Sequence, residues 1–304
     1  MCAIRAGMLL LCSVSFVSIG QAQTSYTFER LEVPNSAYTF AGGMNRHGTI
    51  AGTCYLNDGT QALFFAREGR FKTFQLPLSG VQSSVTGINS RDDIIGTYVD
   101  QSTVPHAYLL KHNGAFSNVD ASALGAVRTN PTAINAQGDV VGVYYDVDFN
   151  RHAYLFTHGS FREFNVTVPG ATGTSPTGIN SRGVIVGTYA ANGNSYGFVH
   201  ERGRTSTFDD EPGSVGTTPI GISDSGEIVG FAITAGQTAE WPVVHGFVYD
   251  HGKFSDFVPV FPDEPPQPFL SNRGIAVSNT GVVLGISTPN KGAMEISFLA
   301  RPAK

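Results

Sequence analysis

The chain has 304 residues, with 19 Lys+Arg against 24 Asp+Glu and a formal net charge of −5. This mildly acidic balance, with no basic run, argues against nucleic acid as a partner. With 36 Gly, 16 Pro, 21 Phe, 11 Tyr and 14% charged residues, the composition points to short strands and tight turns and away from helices or disorder.

In chain order, the first segment is a targeting signal. Arg5, the apolar run Met8 to Ile19 and the small-residue end Gly20-Gln21-Ala22 follow the order of a secretory signal peptide, predicting cleavage after Ala22. The run of about 12 residues is too short for the roughly 20 that span a bilayer. No later stretch is apolar enough, so the expectation is a soluble, monomeric, exported protein of the periplasm or medium, residues 23–304 forming one domain. Cys2 and Cys12 leave with the signal, and Leu11 stands where a lipid-bearing cysteine would need a small residue. Cys54 remains alone, so no internal disulfide forms and stability comes from packing.

Next comes Tyr26 to Val33, with Phe28 and Leu31 three apart, and then a repeat. Its anchor is a small residue, an apolar residue and Asn or Ser: Gly43-Met44-Asn45, Gly87-Ile88-Asn89, Ala133-Ile134-Asn135, Gly178-Ile179-Asn180, Gly221-Ile222-Ser223 and Ala276-Val277-Ser278. Gly (or Asp92) follows three residues after each Asn/Ser, and Gly follows seven after it in all six copies. Asn or Ser opening a turn bonds its own backbone, and Gly accepts positive φ, so each anchor predicts a hairpin turn. A β-branched second strand ending in Gly, a third strand such as His106-Ala107-Tyr108 and an x-Gly turn into a fourth strand complete each copy.

Four antiparallel strands per period of about 45 residues make one propeller blade. The sixth copy lacks a fourth strand, and Tyr26 to Val33 has that strand's pattern. The expected fold is therefore all-β: a six-bladed β-propeller of four-stranded antiparallel blades, closed by the N-terminal strand pairing into the last blade. The blades fall at about 43–76, 87–120, 133–166, 178–209, 221–258 and 276–301 plus 26–33. An open β-solenoid would leave the two incomplete ends unexplained.

These units resemble the HAF repeats of bacterial extracellular proteins, which combine G-I-N-x-x-G-x-I-V-G with a following H-A-F-like strand. Gly178 to Gly187 fits throughout, and His106-Ala107-Tyr108 and His152-Ala153-Tyr154 carry the second element. Departures are Ser223 and Ser278 for Asn, Gln61 and Tyr196 in place of His, and insertions in the last two copies. The resemblance implies an exported repeat domain and supplies no catalytic residues.

Function is sought where the copies disagree, in the loops joining strands two to three and strand four to the next blade, which share one face. Trp241, Tyr145, Phe149 and Tyr196 are the aromatic ligand-binding candidates there. His106, His152 and His245 are counted with them as ligand-binding candidates; they recur at one repeat position, so the ring spreads them apart, which argues against a shared metal and for bonds to neighbouring loops. Asp146-Val147-Asp148-Phe149-Asn150 has alternate oxygens, but Arg151 replaces the turn glycine of a calcium loop. No nucleophile elbow, H-E-x-x-H or phosphate loop is present, and no cofactor or metal is expected. The reading is a non-catalytic binding or scaffold domain for a glycan, peptide or envelope component. The alternative is a secreted hydrolase or lyase using Asp120, Asp209, Asp210, Asp263 and Glu264 in the four-to-one linkers.

Overall fold

The computed structural model describes residues 26–78, 81–191, 194–208, 214–234, 243–257, 259, 271–288 and 295–303; the expected signal segment 1–22 lies outside them. They form 24 strands and a three-residue 3-10 turn, Ser122–Leu124. No helix among them is long and apolar enough to cross a membrane.

Each anchor becomes the turn between a first and a second strand. The Oδ1 of Asn89 accepts the backbone N–H groups of Arg91 and Asp93 at 2.9 and 3.0 Å, and Asn45, Asn135 and Asn180 repeat the pair of bonds. Ser223 and Ser278 accept with their hydroxyls instead. The residue three positions on is left-handed in every copy, including Asp92 at φ 62°, as the turn requires. The amide donates onward as well: Asn45 Nδ2 reaches the Asn89 carbonyl at 3.0 Å and Asn180 Nδ2 the Ser223 carbonyl at 3.1 Å. The anchor thus closes its own turn and grips the next blade.

The glycine seven residues on has a steric cause. A Cβ at Gly96 would run into the Ser84 carbonyl of the first strand and lie 2.8 Å from the Tyr108 hydroxyl of the third. Gly52 faces the Phe40 carbonyl and the Phe64 ring in the same way. Only glycine lets the third-strand aromatic, fully buried in each case, cross the second strand so closely.

Blade 1 comprises Ser36–Met44, Ile50–Leu56, Gln61–Arg67 and Arg70–Phe74. Blade 2 comprises Gln82–Ile88, Ile94–Val99, Pro105–Leu110 and Phe116–Asn118. Blade 3 comprises Arg128–Ile134, Val140–Tyr145, Arg151–Thr157 and Ser160–Glu163; blades 4 and 5 occupy 171–208 and 214–257. Blades 1 to 4 are separate four-stranded sheets, while a single parallel pair, Val244 with Ser271, links blades 5 and 6. First strands begin several residues before their anchors, because the turn signal marks the end of the strand.

The ring closes as the incomplete ends imply. Tyr26–Arg30 pairs antiparallel with Ile296–Pro302, Phe28 opposite Ala300, and supplies blade 6 with its fourth strand. Six apolar cores then lie between neighbouring blades. Tyr98 and Tyr108 of blade 2 pack with Ala51 and Leu63 of blade 1, and Leu284 and Leu299 of blade 6 pack with Ile50 and Phe64 of blade 1. No blade buries both faces alone, so stability accumulates at these interfaces. Polar bonds line the axis between them: where each first strand bulges, Thr86, Thr132 and Thr177 donate to the carbonyls of Pro131, Pro176 and Pro219 in the next blade at 2.8–2.9 Å. Proline is tolerated there because a bulge on an edge strand needs no ladder donor.

Candidate functional site

The topology gives the ring two unlike faces. One carries the anchor turns and the strand three-to-four turns. The other, the loop face, carries the two-to-three loops and four-to-one linkers. The seven large apolar side chains that stand exposed among the described residues are Tyr38, Tyr55, Val99, Val104, Val127, Val147 and Phe149, and all of them are on the loop face. Val147 and Phe149, at 72% and 75% exposure, crown the second loop of blade 3.

That loop is held by a repeated clamp. Asp146 Oδ1 accepts the N–H groups of Asp148 and Asn150, both at 2.9 Å, and Oδ2 lies 2.9 Å from His152 Nε2. The His152 ring stacks on Tyr144 at 4.9 Å between centroids. The His152 bond above all, reinforced by the backbone donors, pushes the Asp146 carboxyl down to about 2. Burial and a 2.7 Å bond to Glu163 push the Tyr144 phenol up to about 12. Phe149 occupies the left-handed region at φ 60°, a costly conformation for an aromatic residue.

Blade 2 repeats the clamp. Asp100 Oδ1 accepts from Ser102 and Val104, His106 Nε2 lies 3.4 Å from Asp100 Oδ2, and the ring stacks on Tyr98 at 5.1 Å. Here Asp120 adds a second carboxylate, Oδ2 to His106 Nδ1 at 2.7 Å and Oδ1 accepting the Ala107 N–H at 2.7 Å. His245 is 3.8 Å from Asp256. The recurring histidines are therefore loop fasteners spread over blades 2, 3 and 5, and no cluster of three or more His, Cys, Asp or Glu among the described residues could hold a metal. Asp146 spends its oxygens on its own loop and His152, which leaves the alternate-oxygen pattern no open calcium cage.

Of the remaining aromatic candidates, Tyr145 and Tyr196 stand in different blades. Tyr145 is half-buried with the Arg128 guanidinium 5.9 Å from its ring centre. Tyr196 stacks on Tyr189 at 5.5 Å and stands at the histidine position of blade 4. Trp241, Asp209, Asp210, Asp263 and Glu264 lie outside the described residues. Blade 1 corrects one expectation: Ala62, opposite Cys54, holds the histidine position, and Gln61 is one residue out of register. Cys54 is a free, fully buried thiol.

Two features were not drawn out of the sequence. One is the aspartate of each clamp, visible as Tyr-x-Asp-x5-His at Tyr98-Asp100-His106 and Tyr144-Asp146-His152. The other is a cleft of about 480 Å³ on the loop face where blades 6 and 1 meet, lined by Glu32, Asn35, Tyr38, Glu295 and Ile296. Glu295 is anchored there by Arg273 at 2.5 Å, and Tyr38, Phe40 and Tyr55 form a file of rings 6.5 and 6.2 Å apart.

No family model and no curated protein matches the chain. Solved structures do. AofleA from Arthrobotrys oligospora aligns at 13% identity over 93% of this chain and 88% of its own, with a TM-score of 0.50. The SapL1 lectin, in complex with α-methyl fucoside, aligns at 11% identity over 88% of this chain and 94% of its own, also at 0.50. The Hadza microbial sialidase Hz136 aligns at 10% identity over 87% of this chain and 65% of that chain, at 0.51. The chain is a β-propeller. At such identities the likeness extends to the fold alone, a ring that these neighbours use both in a lectin and in a sialidase.

Proposed function

We propose that this propeller is an exported, non-catalytic carbohydrate-binding protein of the HAF-repeat kind, holding its ligand on the loop face. The observation that carries the proposal is the one-sided exposure of apolar side chains, with Phe149 held outward in a left-handed backbone. Apolar side chains exposed on one face and, among the described residues, absent from the other favour that face as the interaction surface. Aromatic faces beside carboxylate and amide acceptors suit sugars, whose C–H faces stack while their hydroxyls donate. Asp120, the one described residue among the linker acids considered for acid–base work, is occupied by His106 and the Ala107 N–H, which favours binding over hydrolysis.

The test is a glycan array, fucosides included because SapL1 is known with one, probed with the mature protein and with Phe149→Ala and Tyr38→Ala. Specific retention by the parent, lost in at least one variant, is the expected result. No retention on any glycan overturns the carbohydrate reading, and release of reducing ends from a bound glycan overturns the non-catalytic one. Export predicts Gln23 as the mature N-terminus after secretion, read by Edman or mass analysis.

A further inference from the structure

We infer that the blade 2 loop from Asp100 to Val104 is a proton-operated latch on the loop face, and that the blade 3 loop from Asp146 to Asn150 is the same latch without its proton dependence. The inference rests on the loop face being the binding face only for its biological meaning; the latch itself is read without any ligand.

The two loops are built alike. Each closes on itself through a backbone pair, Asp100 N–H to the Val104 carbonyl with Thr103 N–H to the Asp100 carbonyl, and Asp146 N–H to Asn150 with Phe149 N–H to Asp146. Each holds a non-glycine residue left-handed at the fourth position, Thr103 at φ 63° and Phe149 at φ 60°. Blade 1 shows what happens when the clamp is missing. Its loop has the same backbone pair, from Leu56 to Thr60, but Leu56, Ala62 and Cys54 replace Asp, His and Tyr together, and the left-handed position is Gly59. In blades 2 and 3 the aspartate, histidine and tyrosine act together, whereas blade 4 keeps only Tyr189 and blade 5 only His245. Their joint work is to hold a strained residue that glycine would hold without them.

The copies differ at one position. In blade 2 both imidazole nitrogens face carboxylates, Nδ1 to Asp120 and Nε2 to Asp100. Only the imidazolium can donate in both directions. In blade 3 the residue corresponding to Asp120 is Asn165, since Val119 N–H bonds the Ala107 carbonyl as Phe164 N–H bonds that of Ala153. His152 needs a proton on Nε2 alone, which the neutral ring supplies. The groups facing His106 are Asp120, Asp100 and the Tyr98 ring; those facing His152 are Asp146 and the Tyr144 ring, itself bonded to Glu163. In keeping with this geometry, the bond to Asp120, opposed by partial burial and helped by Asp100, raises His106 above the ordinary histidine value.

When His106 loses its proton, the shorter Nδ1–H bond to Asp120 persists and a lone pair on Nε2 turns toward the Asp100 carboxylate. Repulsion then frees the loop, and with it the exposed Val99 and Val104. The blade 2 part of the face is thus fixed in acid and loosened as the pH rises, while Phe149 in blade 3 stays fixed.

Amide exchange across the His106 titration, from about pH 5 to about pH 8, tests the latch in the ligand-free mature protein. After correction for intrinsic rates, protection of Ser102 and Val104 should fall roughly tenfold, the loss of about one charge-assisted bond, while that of Asp148 and Asn150 holds. Asp120→Asn should abolish the fall in blade 2 and lower the His106 titration midpoint followed by NMR. Asn165→Asp should install in blade 3 the pH-dependent fall in protection, read at Asp148 and Asn150. Constant protection at Ser102 and Val104 through the His106 titration overturns the inference, as does an Asn165→Asp protein whose blade 3 loop remains insensitive. A negative glycan array leaves these readouts untouched, so the two proposals fail separately.

Discussion

Arg46 of blade 1 reaches Asp224 of blade 5, Nη1 to Oδ2 at 3.6 Å, passing the end of blade 6. Both residues directly follow an anchor, where the other copies place Ser90, Ala136, Ser181 and Asn279. Asp224 is held ready by the Ser181 N–H on its carboxylate at 2.8 Å and the Asn279 side chain on its own N–H at 3.2 Å. The pair joins two blades that are not neighbours, at a narrow axial mouth of about 70 Å³. Arg46 is 44% exposed, which caps the contribution. A double-mutant cycle on Arg46→Ala and Asp224→Ala should give a coupling of about 0.2–1 kcal/mol that largely disappears in ~1 M salt.

Glycines of different standing should respond differently to alanine. At Gly96 a methyl meets the Ser84 carbonyl and the Tyr108 hydroxyl, whereas at Gly173 nothing lies within 4 Å and φ is not left-handed. Gly96→Ala should cost about 1–3 kcal/mol or more in chemical denaturation by forcing two strands apart. Gly173→Ala should be neutral or stabilise by up to about 1 kcal/mol through the unfolded chain. Equal effects at the two positions would contradict the steric account of the seven-residue spacing.

The architecture was legible because its causes are local and repeated. Asn89, Asp92 and Gly96 each serve a backbone requirement that recurs at fixed spacing, so one turn and one crossing could be read six times over. Ring closure was legible for a related reason: Phe28 and Leu31 carry the fourth-strand pattern, and only blade 6 lacked that strand. The site was less legible because it depends on cross-strand register and on meetings between distant segments. Gln61 looks like the histidine counterpart by sequence, yet the pairing of Cys54 with Ala62 moves the position by one. Tyr38 and Glu295 share a cleft only because the ring closes between them.

Asp93 should shape the acid limb of stability. Its side chain is 3% exposed and receives Asn89 Nδ2, Arg91 Nε and the His112 N–H at 2.9–3.1 Å. Burial works against the charge, but these bonds together outweigh it and hold the carboxyl below its usual range. A depressed folded value means that the stabilisation is complete above the unfolded value of about 3.9 and is lost as pH falls through the folded one. Asp93→Asn should therefore be less stable near neutrality and show a shallower loss of stability below about pH 4 than the parent. Parallel curves for the two proteins would remove Asp93 from the acid response.

Phe149 offers a way to separate folding from binding at one residue. Its left-handed backbone is strained for phenylalanine and relaxed for glycine, as Gly59 shows in the corresponding loop of blade 1. Glycine removes the strain but adds freedom to the unfolded chain, each effect worth about 1 kcal/mol and of opposite sign. Phe149→Gly should thus leave stability within about 1 kcal/mol of the parent. Alanine keeps the strain without the ring, so Phe149→Ala should be no more stable than Phe149→Gly. Because the side chain is 75% exposed, neither variant loses core packing. Both should lose affinity for whatever glycan the parent retains, measured by calorimetry on the same preparations used for denaturation. Intact affinity in both variants would move the binding surface away from this loop and toward the Tyr38 cleft.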